Sequence, residues 1–243
     1  MFDFYKRFLD GMPLYLARYY WWAYLWQIGV WFFDHQLIIN AILFGQYKVL
    51  MNTTLSRLHE EYPGRMLQMT CVYGGLTFNL AKYSSPQPLH IMDVAPVQLK
   101  LALRKCGLEG ELIPARMNAE CMGYRSNTFD TVILFFLLHE MPYEARQRAI
   151  SEAIRIINPG GRLIVTEYAP ISESHVFHRF PPFRWILTKL EPFLDGFWRE
   201  DLTGHLNEVA AGHGKRVLEN WCRGIFGDFY RVIEYRVIDN GDI

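Results

Sequence analysis

Residues 65–94 read RMLQMTCVYGGLTFNLAKYSSPQPLHIMDV, from Arg65 to Val94. Arg65–Tyr73 has the continuous apolar character of a buried strand, Gly74-Gly75 opens a helix over Leu76–Tyr83, and Pro88–Val94 forms a second strand ahead of a helix from Pro96 to Cys106. Strand, glycine turn, helix and strand make the βαβ unit of a parallel sheet. The pattern recurs downstream. Glu111–Pro114 is a brief strand, and Phe129–Leu138 (FDTVILFFLL) is a run that must be buried on both faces. Pro142 suits the first turn of a helix, along which Ile150, Ala153, Ile154 and Ile157 recur until Asn158-Pro159-Gly160-Gly161 stops it. Arg162–Tyr168 (RLIVTEY) is the fifth strand. An insertion over 169–202, rich in Pro, Phe, His and Trp, precedes a helix near Leu206–Ala211 and two closing apolar segments, Ile225–Phe229 and Arg231–Ile238. The whole predicts an α/β fold with a doubly wound, seven-stranded, mostly parallel sheet.

Upstream the composition changes. Tyr15–Phe33 reads YLARYYWWAYLWQIGVWFF, with five aromatics between Tyr19 and Tyr24 and no charged residue from Tyr19 to Phe33. Fifteen uncharged residues fall short of the roughly 20 that cross a bilayer, and Trp and Tyr favour the headgroup level. The segment suits the plane of a membrane interface, or a helix that caps the hydrophobic core. A second apolar stretch, Gln36–Leu50, leads to a polar run and Pro63-Gly64, which divides the chain into an N-terminal helical region, 1–62, and a Rossmann-like domain, 63–243.

The 243 residues carry 25 Lys+Arg against 25 Asp+Glu, with neither a basic run nor an acidic tail, which argues against nucleic acid as a partner. The four cysteines lie far apart and lack zinc-site spacing, as expected of small buried hydrophobes in a reduced compartment.

In a doubly wound sheet the ligand lies beyond the carboxyl ends of the strands. Thr70–Leu76 is the first such turn, where Gly74 and Gly75 allow close approach of a ligand to backbone N–H groups. Asp93, at the end of the second strand, can accept hydrogen bonds from both ribose hydroxyls or cap the helix that follows. Asn118-Ala119-Glu120 follows the third strand, where an amide could meet an adenine edge.

The order of glycine turn, Asp93, Asn118-Ala119-Glu120, Phe129-Asp130, Leu138-His139-Glu140-Met141-Pro142 and Pro159-Gly160-Gly161-Arg162-Leu163 resembles class I S-adenosylmethionine-dependent methyltransferases over about 65–169, especially those that modify quinone rings. The first turn departs from that family's acidic-x-Gly-x-Gly-x-Gly: Gln68, Thr70, Val72 and Gly74 stand at those positions, with bulky Tyr73 in the loop. With the aromatic N-terminal segment, this is similar to rhodoquinone-biosynthesis methyltransferase-like proteins.

That resemblance implies a Rossmann-like fold and a reaction in which the α-amino group of S-adenosylmethionine, as co-substrate, replaces a methoxy group of ubiquinone, with manganese as the metal. It implies peripheral association with the cytoplasmic face of the inner membrane, and cofactor contacts from Tyr73, Gly74, Gly75, Asp93, Val94, Asn118 and Ala119. Val72 and Tyr73, refilling the loop, are expected to shift the methionine tail toward the quinone. His139 and Glu140, at the end of the fourth strand, are the catalytic candidates; with Glu167 they are also the candidate metal ligands, a hard cation favouring carboxylate and imidazole. His139 could instead cap the next helix, and Glu140 complement its dipole. His175 and His178, three apart in the insertion, are open to ligand, lid or packing roles. A methyltransferase acting on a quinone or other membrane lipid, and a non-catalytic membrane-associated protein that keeps a nucleotide pocket, are the alternatives.

Overall fold

The computed structural model describes residues 10–59, 64–84, 86–107, 111–172 and 175–241. The N-terminal region forms α1 (Leu14–Tyr19), α2 (Trp21–Tyr24), α3 (Gln27–Phe33), α4 (Gln36–Ile42) and α5 (Tyr47–His59). There follow β1 (Met66–Met69), α6 (Leu76–Ser84), β2 (Leu89–Asp93), α7 (Pro96–Cys106), β3 (Leu112–Arg116), β4 (Phe129–Phe135) and a 3-10 turn, Leu138–Glu140. The rest is α8 (Tyr143–Ile156), β5 (Ile157–Tyr168), α9 (Val176–Arg179), α10 (Pro181–Leu190), α11 (Leu194–Trp198), α12 (Leu202–Ala211), β6 (Lys215–Ile225) and β7 (Tyr230–Asp239).

The seven strands lie in the order β3-β2-β1-β4-β5-β7-β6. β1 to β5 run parallel, and β7 is antiparallel to both its neighbours. The doubly wound expectation holds, and the order reverses between β1 and β4, where a crevice opens beyond the strand ends. The central strands are buried on both faces, as their unbroken apolar runs require.

Several boundaries differ from the expectation. β1 stops at Met69 because Thr70 adopts φ +69°, and β4 stops at Phe135 ahead of Phe136 at φ +55°. Left-handed backbone is costly for a β-branched or aromatic residue, and both cases fall at strand ends facing the crevice, where such strain concentrates. β5 takes in Asn158–Gly161 rather than starting after it. The sixth strand is Lys215–Ile225, and residues 226–229, expected as part of a strand, turn the β6–β7 hairpin. The insertion, read from the sequence by composition alone, holds α9, α10 and α11.

The aromatic N-terminal run is broken into helices of four to seven residues, and among the described residues no helix is long and apolar enough to cross a membrane. Gly29 permits the break between α2 and α3, since a Cβ there would lie 1.8 Å from the Trp22 carbonyl oxygen. α5 is part of the sheet's packing: Thr54 meets Thr166 of β5 at 2.7 Å, and Arg57 pairs with Glu234 of β7 at 3.0 Å. The boundary drawn between residues 62 and 63 lies outside the described residues.

Candidate functional site

A cavity of about 420 Å³ lies beyond the ends of β1, β2 and β4. Its floor is the sheet's loops, including Thr70–Tyr73, Asp93-Val94, Met117–Ala119 and His139-Glu140; its roof comes from α1 to α4 and the end of α10. Of the residues expected in the site, Tyr73, Asp93, Val94, Asn118, Ala119, His139 and Glu140 line it together, whereas Gly74, Gly75 and Glu167 do not.

Asp93 is anchored from two sides, Oδ2 accepting the Cys71 N–H at 2.9 Å and Oδ1 the Ala95 N–H at 2.8 Å. A carboxylate has about four lone-pair positions, so acceptor capacity remains toward the cavity. Burial pushes its carboxyl up to about 6 even though the backbone N–H groups oppose this. Asn118 folds back to accept the Glu120 N–H at 2.9 Å, which leaves its NH₂ as the donor that the side chain can still offer.

The glycine turn is occupied from within the chain. The Gly75 and Leu76 N–H groups donate to the Tyr47 hydroxyl at 2.7 and 3.1 Å, and the Gly74 N–H donates to Asp34 Oδ1 at 3.0 Å. A Cβ at Gly74 (φ +78°) would lie 2.4 Å from the Tyr47 hydroxyl oxygen, so this turn requires glycine for Tyr47 rather than for a ligand. Tyr73 stacks on Tyr24 (5.7 Å between centroids, 7° between planes) and its hydroxyl donates to the Ala23 carbonyl.

At the other end of the cavity His139, Glu140 and Glu191 bring one ligand atom each within 4.8 Å of one another. The 3-10 turn carrying His139 is held from behind: Glu167 accepts from Leu138 N–H at 2.6 Å and from His139 Nδ1 at 2.8 Å, and Arg146 donates to the Leu138 carbonyl at 2.9 Å. Glu167 is thus the carboxylate that orients His139, and Glu191 takes the place in the cluster that was expected of Glu167. Tyr24 donates to Glu140, and Tyr20 donates to Glu191 at 2.9 Å. Burial opposes charge on His139, but Glu167, with Glu191 and Glu140, raises it to about 9. Burial and Glu191 push Glu140 up to about 8 against the pull of His139, and burial raises Glu191.

Glu191, Tyr20 and Tyr24 escaped the sequence reading. The available signal for the tyrosines was their hydroxyls, polar atoms four residues apart in an apolar run. His175 and His178 do not line the cavity. His175 accepts the Phe177 N–H at 3.2 Å, His178 accepts the Ser172 N–H at 3.0 Å, and both rings pack on Phe229, which favours the packing role.

The residues present are compatible with the cofactor and metal that the sequence resemblance implies. Asp93, Val94, Asn118 and Ala119 form a wall for a nucleoside, and one imidazole with two carboxylates is a set that hard divalent cations accept.

The family described as methyltransferase domain matches residues 66–161. The demethylmenaquinone methyltransferase of Lactiplantibacillus plantarum is 28% identical over 157 residues, 63% of this chain and 64% of that protein. The mitochondrial 2-methoxy-6-polyprenyl-1,4-benzoquinol methylase of Caenorhabditis elegans is 23% identical over 165 residues, 63% of this chain and 57% of that one. The chain thus spans less than two thirds of the length of these relatives. Among solved structures, the N-methyltransferase NodS of Bradyrhizobium japonicum WM9, in complex with S-adenosyl-l-homocysteine, superposes with a TM-score of 0.54 at 16% identity, covering 78% of this chain and 86% of that one. Strand order, the antiparallel β7 and the matched domain agree, and the chain has the Rossmann-like fold of class I S-adenosylmethionine-dependent methyltransferases.

Proposed function

We propose that this protein carries out the aminating step of rhodoquinone biosynthesis, in which the α-amino nitrogen of S-adenosylmethionine takes the place of a methoxy group on ubiquinone. The observation that carries the reading is the polar end of the cavity. His139, Glu140 and Glu191 converge there, and among the described residues no Lys or Arg lines the cavity. Such a set binds a cationic amine and accepts its proton, which transfer of a methyl group from a sulfonium does not demand.

Asp93 holds the ribose, and the Asn118 amide with Ala119 meets the adenine. A ring carbon–nitrogen bond forms and the ring carbon–methoxy bond breaks, so the ammonium must first lose a proton and a second leaves with methanol; release of the aminoquinone then breaks the nitrogen–Cα bond of the cofactor, the nitrogen taking up the proton lost from Cβ and the remnant leaving as the unsaturated sulfonium acid. Glu167 accepts the Nδ1–H of His139, which leaves Nε2 as the ring atom that would hold a metal or, once deprotonated, receive the amine's proton. Tyr20 and Tyr24, whose phenols burial keeps protonated, orient the two carboxylates. A divalent cation held by His139, Glu140 and Glu191, manganese in this reading, supplies Lewis acidity toward a quinone carbonyl.

The test is S-adenosylmethionine labelled with nitrogen-15 at the α-amine, supplied with ubiquinone and manganese. Label in an aminoquinone is expected. An unlabelled, methylated quinone would replace this reading with the second one, methylation of a quinone, to which the names of the relatives point.

The substrate reading extends to the membrane. Among the described residues, fifteen of the twenty exposed large apolar side chains lie on 14–42 or 176–190, the segments that roof the cavity. They include Trp21, Trp26, Trp31, Leu37, Phe180 and Trp185. The inner side of this roof, with Tyr20, Tyr24, Phe33 and Leu190, lines the cavity, so the layer is apolar on both sides. Beside it a more open groove of about 690 Å³ between α3 and α7 is lined by Trp31, Lys100 and Arg104. Aromatics flanked by cations suit an anionic bilayer surface, from which a lipid-soluble quinone reaches the cavity without crossing water.

A further inference from the structure

The backbone donors that open α6 are the natural seat for the anionic end of a ligand in a doubly wound fold, because several N–H groups converge there. In this chain they are already engaged. Asp34, at the end of α3, places a carboxylate oxygen 3.0 Å from the Gly74 N–H and makes an ion pair with Lys105 of α7. Tyr47 covers the next two donors. Asp34 itself faces the neighbouring groove, and among the described residues the charged groups on the cavity wall are Asp93, His139, Glu140 and Glu191, three of them acidic. A ligand carboxylate reaching past Tyr73 to this turn therefore finds the seat filled by a carboxylate of the chain itself.

We propose that Asp34 is a specificity-determining residue that excludes the cofactor's carboxylate from the first loop, so that the amino-acid end is directed to His139, Glu140 and Glu191. This rests on the cofactor reading above and sharpens it. Asp34 also brings Lys105 to the turn, so its removal leaves a cation and a free N–H side by side, the two elements of a carboxylate site. The loop residues Val72 and Tyr73, expected from the sequence to displace the tail, form wall rather than plug: both line the cavity, and Tyr73 spends its hydroxyl on Ala23 and Gln98.

The test compares two probes by calorimetry in metal-free buffer: S-adenosylhomocysteine, and 5′-methylthioadenosine, which lacks the amino-acid end. The wild type should bind both within about threefold. Asp34→Ala should improve S-adenosylhomocysteine by about tenfold or more, the scale of one charge-assisted hydrogen bond, and leave methylthioadenosine unchanged. Asp34→Asn, whose carbonyl still covers the Gly74 N–H, should keep the wild-type ratio. A wild type that already prefers S-adenosylhomocysteine by tenfold, or an Asp34→Ala ratio equal to the wild type's, overturns the proposal while leaving the cofactor reading intact. Failure of the wild type to bind methylthioadenosine at all would remove the cofactor reading itself. If Asp34→Ala does not fold, seen as loss of methylthioadenosine binding, the wild-type ratio alone decides.

Discussion

Glu167 Oε2 lies 2.8 Å from His139 Nδ1 while its Oε1 accepts the Leu138 N–H at 2.6 Å, so one fully buried carboxylate of β5 fixes both an imidazole and the turn that carries it. Glu167→Gln keeps the shape but sets an amide against two N–H groups. Manganese affinity, followed by electron paramagnetic resonance of the free ion, should fall about 10–100-fold, as for other carboxylates that orient a ligating histidine. Unchanged affinity would separate Glu167 from the cluster.

Tyr47 is a fastener of the first turn. Its hydroxyl accepts two N–H groups and donates to the Tyr73 carbonyl at 3.2 Å. Tyr47→Phe leaves those donors without a partner next to a buried ring, and should cost about 2–3 kcal/mol in urea unfolding, the scale for an orphaned buried polar group. A loss below about 0.5 kcal/mol, the lower edge of a net hydrogen bond, would mean that water replaces the hydroxyl.

Asp93 sets a pH dependence. Its folded, ligand-free carboxyl sits near 6, and ribose hydroxyls donate to the ionised form, so a bound nucleoside lowers that value. Binding is then favoured at higher pH: methylthioadenosine affinity should be flat above about pH 6 and fall by up to tenfold per pH unit below it, the slope of one coupled proton. Asp93→Asn should flatten the profile and weaken binding by about 1.5–3 kcal/mol. A wild-type profile that is already flat from pH 5 to 8 would take Asp93 out of the site.

The sheet was legible because a buried parallel strand leaves an unbroken apolar run and the glycine turns punctuate it: Phe129–Phe135 and Leu89–Asp93 could be read directly. β6 was not, since only its ends are buried and Glu219, Asn220 and Arg223 interrupt any pattern. In the site, residues on strand ends were found by position, Asp93 and His139 above all. Glu191 was not, because it caps a helix in an insertion and meets His139 only through folding. The pairing of Asp34 with Gly74, 40 residues apart, leaves no mark in local sequence.

The roof of the cavity gives a membrane prediction that reaches beyond the N-terminal run. Trp185 of α10 is as exposed as Trp31 of α3, 62% against 64%. The protein should sediment with vesicles containing anionic lipid. Trp185→Ser should weaken this about as much as Trp31→Ser, and Lys100→Gln with Arg104→Gln should weaken it at low salt only, since screening removes the contribution of exposed charges. Equal recovery in the supernatant with and without vesicles would leave the apolar roof to another partner.

Glu191 provides the decisive contrast between function and stability. Without a cation, Glu140 and Glu191 are two partly buried carboxylates close together, and desolvation raises the proton affinity of both. A neutral amide at position 191 removes the cost of desolvating that carboxylate, which the folded state bears and the unfolded chain does not. Glu191→Gln keeps an acceptor for Tyr20, so the metal-free protein should be stabilised by roughly 1 kcal/mol, a rise in Tm of about 2–4 °C for a chain of this size. The same change removes a ligand of the proposed cation, so the proposed amination should fall about 10²-fold or more. Combined with His139→Ala, the loss should be far from additive, because both act on one centre. Calorimetric Tm and labelled-amine turnover on the same preparations check this. A lowered Tm together with retained turnover would make Glu191 a packing residue and leave His139 and Glu140 to act without it.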